Sequence, residues 1–155
     1  MTPQQHYQAL AAMYHSAPIN AYYPPRVEID EGRCTIEIDV RPDYCHAAGA
    51  VHGSVYFKLL DDAAFFAANS IEPEVFVLTT SFTTYITRPV SAGVMRAEGR
   101  LLNFNRSQFI AEAVIFDSEQ REIARGNGIF VRSKNQLMDV PGYRDAITGA
   151  AGAAD

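Results

Sequence analysis

No stretch of this 155-residue chain is apolar for the roughly 20 residues that a membrane-spanning helix needs. The longest apolar segment, around Val55 to Ala68, is interrupted by Lys58, Asp61 and Asp62. A basic excess is also lacking. The formal net charge is −5, which argues against a protein that lives on nucleic acid or on an anionic membrane surface. A few local arginines would still suffice for a phosphorylated ligand. Cysteine is scarce: Cys34 and Cys45 form no close motif and read as free thiols in a reducing compartment. The first residues show no basic region followed by an apolar one, so no signal peptide is expected and a cytoplasmic location is. There is no internal repeat. Hydrophobic residues make up 48% and charged residues 20%, which excludes disorder of the whole chain and fits one domain with a real core.

Tyr7, Leu10, Ala11 and Tyr14 recur at helical spacing and predict a short amphipathic helix over 3–15. Pro18, Pro24 and Pro25 then keep the chain out of a helix. From Arg26 the period changes to two. Val27 and Ile29, then Ile36, Ile38 and Val40, alternate with polar residues across a turn at Asp30 to Arg33, which predicts a hairpin with one wet face. After a turn-rich stretch over 41–52, residues 53–70 run without Pro or a further Gly and are rich in Ala, Leu and Phe. That is a buried helix. Four strands follow, over 75–86, 94–104, 108–116 and 121–131, joined by hairpin-length turns. Short turns favour antiparallel neighbours, and one apolar helix needs a surface to cover it. An α+β domain results, with an antiparallel sheet curled around the helix. Its expected limits are a lead-in over 1–25, the domain over 26–132 and a loosely ordered tail over 133–155.

Two residues of the long helix stand out. Gly53 opens it, where unpaired N–H groups favour negative charge and the missing Cβ lets a ligand approach the backbone. Such a donor suits the oxyanion of an acyl transfer, although a glycine beside a helix start also has purely structural uses. Asp61 lies mid-helix on the face of Ser54, Phe57, Phe65 and Ala68, where a carboxylate is costly to bury. Its neighbour Asp62 is four residues from Lys58 and can pair with it. Asp61 either caps a loop or faces water, or it serves as a base with a shifted pKa; the residues alone leave both open. The eight residues from Gly53 to Asp61 span about 12 Å. If both act on one carbonyl, they come from different copies in a two-fold dimer.

The run His52-Gly53-Ser54-x-x-Phe57-x-Leu59-x-Asp61-x-Ala63 resembles the H-G-G-x-x-x-x-L-x-D-x-A signature of PaaI-like hotdog-fold acyl-CoA thioesterases, and Tyr85 to Pro89 resembles that family's strand ending in Arg-Pro. The likeness covers about residues 26–132. It implies a hotdog fold, assembly as a homodimer or a dimer of dimers with the site at the subunit interface, and hydrolysis of acyl-CoA thioesters. It implies Asp61 as general base or nucleophile and Gly53 as the N–H that polarises the carbonyl. By the same likeness His52 orients the loop, and Thr79 or Ser81 helps hold the water. Two positions depart from the pattern: Ser54 replaces its second glycine, and His46 falls in the region where many members carry an Asn.

Around this centre, Phe57, Phe65, Phe66 and Phe82 are candidates to line an acyl pocket. Arg88 and Arg106, which flank turns, are the best candidates for the phosphates of coenzyme A, ahead of Arg125 and Arg132. Cys45, His46 and His52 match no strong zinc spacing, and Cys45 with His46 makes no convincing nucleophilic pair. No metal or redox cofactor is expected, and coenzyme A enters only as part of the substrate. The competing reading is a hotdog protein that binds an acyl-CoA without hydrolysing it. A hydratase on the same fold is weaker, because the Asp/His pair it needs is not found.

Overall fold

In a computed structural model, residues 1–149 are described. The first helix, α1 (Pro3–Ser16), starts where the sequence provides a complete cap: Thr2 Oγ1 accepts from the Gln5 N–H, and Gln5 Oε1 accepts in return from the Thr2 N–H. Its apolar face buries Ala9, Leu10, Met13 and Tyr14. A 3-10 turn at Pro18–Ala21 ends it. Strands β1 (Arg26–Asp30) and β2 (Arg33–Asp39) form the expected hairpin, turning through Gly32 at φ +66°, a left-handed conformation that glycine adopts without strain.

The long helix α2 (Gly53–Asn69) is followed by β3 (Val75–Ile86), β4 (Val94–Phe104), β5 (Phe109–Phe116) and β6 (Glu122–Gln136). The six strands make one antiparallel sheet in the order β1-β2-β4-β5-β6-β3. The sheet wraps α2 in the hotdog arrangement. Leu59, Leu60, Ala63, Ala64, Ala67 and Ala68 of the helix are fully buried against Ile36, Ile38, Met95, Ala97, Ala111, Ala113 and Ile115. Small residues on both sides let the helix backbone approach the sheet. At Gly99 a Cβ would stand 2.1 Å from the carbonyl oxygen of Ala63, so no side chain fits there.

The tail expectation is corrected. β6 continues through Lys134 to Gln136, and after a 3-10 turn at Leu137–Asp139 a third helix, α3 (Pro141–Thr148), packs on α1. Tyr143 is fully buried, and its hydroxyl lies 2.7 Å from His6 Nδ1, while His6 Nε2 lies 2.9 Å from the Asn69 carbonyl. That carbonyl only accepts, so Nε2 carries the proton and Nδ1 accepts from Tyr143. At Gly142 a Cβ would meet Ser16 Oγ at 2.2 Å, so the glycine serves close helix packing. α1 and α3 therefore share one core with the sheet rather than flanking a domain limited to 26–132. The last part of the expected tail, 150–155, lies outside the described residues.

Gly99→Val should force α2 off the sheet and cost about 3 kcal/mol, read as a lower urea midpoint with an unchanged slope. Wild-type stability in that variant would mean that helix and sheet are not in contact there.

Candidate active site

Asp61 sits half-buried on α2, and Thr79 Oγ1 donates to its Oδ1 at 2.8 Å. The strand geometry that permits this is irregular. Thr79 pairs with Phe130 and Ser81 with Ile129, so Thr80 is an extra residue in β3. Without that bulge, Thr79 and Ser81 would share a face. With it, Thr79 turns inward to Asp61, Phe82 turns inward three residues later, and Ser81 is exposed. Of the two residues proposed to assist the base, the structure brings Thr79 to it and not Ser81. Burial pushes the Asp61 carboxyl up to about 6; the Thr79 hydrogen bond opposes this, Asp62 adds to it and Lys58 opposes it. A carboxyl that ionises there is a base at neutral pH.

Asp62 borders the same cavity but is paired with Lys58, as their spacing predicts. Lys58 Nζ lies 2.5 Å from Asp62 Oδ2, and the Tyr14 hydroxyl donates to the same oxygen at 2.6 Å. Asp61 opens into a cavity of about 310 Å³ walled by Phe65, Phe66, Phe76 and Leu78 and, from the N-terminal segment, Met13, Tyr14 and Ile19. Of the four candidate phenylalanines, Phe65 and Phe66 line this cavity. Phe57 and Phe82 do not; they pack edge to face on each other, with Phe82 filling the space left by Gly126 and Gly128. The sequence does not point to this contribution of α1. Its only sequence signal was an amphipathic face, which says that a helix packs but not against what.

The other end of α2 forms a second cavity of about 330 Å³, lined by Gly53, His46, Val51, Tyr56, Ile86, Thr87 and Arg88. As the first helical residue, Gly53 has an N–H with no intrahelical acceptor. His52 is the N-cap: its Nδ1 accepts from the Ser54 N–H at 3.0 Å and lies 2.8 Å from Ser54 Oγ. The serine that replaces the second glycine thus completes the cap with its hydroxyl. His46 Nδ1 accepts from the Ala48 N–H at 3.1 Å and holds the preceding loop. Arg88 lines this cavity. Arg106 borders neither cavity and lies in the β4–β5 turn. Arg132 is bound to Glu72 at 2.6 Å and Arg125 pairs with Glu122, so both are already committed.

Gly53 and Asp61 therefore belong to separate cavities of one chain, in keeping with their separation along the helix. Cys34 is buried, with its thiol pushed well above the ordinary range by desolvation. Among the described residues no group of three or more His, Cys, Asp or Glu side chains is placed to hold a metal ion, and no helix is long and apolar enough to cross a membrane.

The sequence profile described as "Thioesterase superfamily" matches residues 48–124, which include Gly53, Asp61, Thr79 and Arg88. A Mycobacterium tuberculosis protein named "Putative esterase" is 28% identical over 121 residues, covering 71% of this chain and 86% of its own length. The solved structure of that putative esterase superposes with a TM-score of 0.71 at 25% identity, over 76% of this chain and 97% of that one. The Escherichia coli PaaI protein from the phenylacetic acid degradation operon superposes with a TM-score of 0.79 at 19% identity, over 88% and 99% of the two chains. A variant of the phenylacetic acid degradation protein PaaI of Thermus thermophilus does so at 0.68 and 23% identity, over 76% and 100%.

The raised Asp61 pKa has a consequence for stability. The folded state prefers the protonated acid, so this group's contribution is fully present below its ordinary pKa of 3.8 and is lost as pH rises through about 6. Asp61→Asn, which can still accept from Thr79, should be more stable than wild type at pH 7.5 by on the order of 1–2 kcal/mol, after allowance for solvent screening. Denaturant melts at pH 4.5 and 7.5 should show that gap opening with pH; a gap independent of pH would contradict the raised pKa.

Proposed function

We propose that this chain hydrolyses an acyl-CoA thioester to the free acid and coenzyme A, a reading that the match of residues 48–124 to the thioesterase superfamily supports. The observation that carries this reading is Asp61: a carboxyl held by Thr79, ionising at about 6, at the mouth of an apolar cavity. The acyl group enters the cavity walled by Phe65, Phe66 and Phe76. The thioester carbonyl docks on the N–H of Gly53, where the positive end of the α2 dipole favours the oxyanion. His52 and Ser54 fix that turn, and Arg88 at the rim offers a cation to the phosphates of coenzyme A. Asp61 takes a proton from water as the water oxygen attacks the carbonyl carbon; the tetrahedral intermediate then expels the thiolate, which is reprotonated. Direct attack by the carboxylate, giving an anhydride that water cleaves, uses the same atoms and stays an equal alternative. No metal or redox cofactor takes part. Two free thiols favour a cytoplasmic setting for this reaction.

Each complete site takes Asp61 from one chain and Gly53 from its partner. β3 is an edge strand with Tyr85 and Ile86 exposed, and exposed Phe57 stands beside inward-facing Phe82. An open apolar edge of this kind favours a second copy, in a homodimer that can pair again.

A thiol-release assay against short, long and aryl acyl-CoAs at pH 8 tests the reading. Asp61→Asn should lower kcat by about 10²–10⁴-fold. Failure of folded wild-type dimer to release thiol from any of these substrates would replace hydrolysis with binding alone. Sharing of the site has its own test. Asp61→Asn and Gly53→Val, each inactive, should regain about a quarter of wild-type activity when unfolded together and refolded as an equal mixture, because half the dimers then hold one intact site. If the mixture stays inactive, the site is not shared.

A further inference from the structure

We infer that Lys58, held by its ion pair with Asp62, is a positioning residue that offsets the second carboxylate beside Asp61 and so lets Asp61 ionise with Asp62 next to it. The inference rests on Asp61 being the base. Asp61 and Asp62 are sequence neighbours lining one largely apolar cavity. Two adjacent carboxylates in such a place oppose each other's ionisation. The side chains of Lys58 and Asp62 are only 12% and 20% exposed, and the ammonium also stands 5.3 Å from the Tyr14 ring and 5.1 Å from the Tyr23 ring. A half-buried ion pair is a poor source of stability compared with apolar packing, so its place beside the base needs another reason.

The groups around Asp61 leave Lys58 and Asp62 as the two charges in play. From β3 comes the neutral Thr79 hydroxyl. From α1 comes Tyr14, whose hydroxyl is held protonated by burial and by Asp62. From β2 comes Cys34, near Asp62 and likewise held as a thiol by burial. Of the two charges, Asp62 raises the Asp61 carboxyl and Lys58 lowers it. Tyr14 matters because its hydrogen bond turns Asp62 towards α1 and gives the carboxylate a second donor besides the ammonium.

The two partners therefore act with opposite sign. Lys58→Met leaves Asp62 unbalanced and should move the Asp61 titration up by about one pH unit; Asp62→Asn leaves the ammonium unbalanced and should move it down by about as much. The double variant should return to the wild-type value, and Lys58→Arg, which keeps the charge, should stay near it. Carbon-13 NMR titration of the aspartate carboxyls, with Asp61→Asn for assignment, reads these shifts whether or not the protein hydrolyses anything. The acid limb of kcat/KM should follow them where a substrate is found. Opposite NMR shifts in a folded protein that releases no thiol would sink the thioesterase reading and leave only the charge offset at Asp61. Single variants that shift Asp61 in the same direction, or not at all, would overturn it. Should Lys58→Met fail to fold, Asp62→Asn and the double variant still separate the outcomes.

Discussion

The structure depends on one constraint: α2 is apolar on nearly every side and has to be enclosed. A sheet of six strands can close around a helix only if their backbones come close, and here they do so through alanines and one glycine. Ala63 and Ala64 meet Gly99, and Ala67 and Ala68 are fully buried. Enclosure then decides what each polar atom on the helix has to do. Asp62 is satisfied by Lys58 and Tyr14. Asp61 receives one hydrogen bond, from Thr79, and its remaining acceptor capacity faces the cavity. A carboxylate that folding alone would have paired or replaced is instead left available, the usual mark of a group kept for chemistry.

Two local departures from regularity make the arrangement work. The extra residue at Thr80 reverses the facing of β3 part-way along, so that Thr79 and Phe82 both point inward. The first serves the carboxylate; the second fills the space over Gly126 and Gly128, where the sheet would otherwise be thin. At the helix start, His52 uses a ring nitrogen for the capping role that serine, threonine, aspartate or asparagine usually takes. That choice ties Ser54 into the cap and keeps the turn carrying the Gly53 N–H fixed.

Most of the fold is legible in the sequence because its signals are periodic and long. The hairpin, the buried helix and the four later strands follow from alternation and from a 17-residue apolar segment. Asp61 and Asp62 are distinguishable by helical spacing alone, and the Lys58 partner follows with them. What escaped was short or non-local. An eight-residue helix such as α3 carries barely two turns of pattern, and most of its attachment is one buried tyrosine and one glycine. The bulge at Thr80 leaves no local trace, so the choice between Thr79 and Ser81 could not be made by counting. Phe57 and Phe82 look like pocket residues by composition, but their mutual packing is set by glycines more than forty positions away. The role of Met13, Tyr14 and Ile19 in the cavity needs the tertiary contact itself.

Stability and the proposed chemistry would pull Asp61 in opposite directions, and its surroundings lie between the two demands. Full burial would raise the carboxyl until it no longer ionised near neutrality, and full exposure would return it to an ordinary, weakly basic carboxylate. Half-burial beside one hydroxyl and a balanced ion pair holds it between those limits. The N-terminal helix belongs to that balance, because Tyr14 is at once a wall of the cavity, a partner of α2 and a donor to Asp62. A segment that looks like a lead-in to the domain therefore acts on the Asp61 carboxyl through the core, and α3 in turn holds that segment in place from its other side.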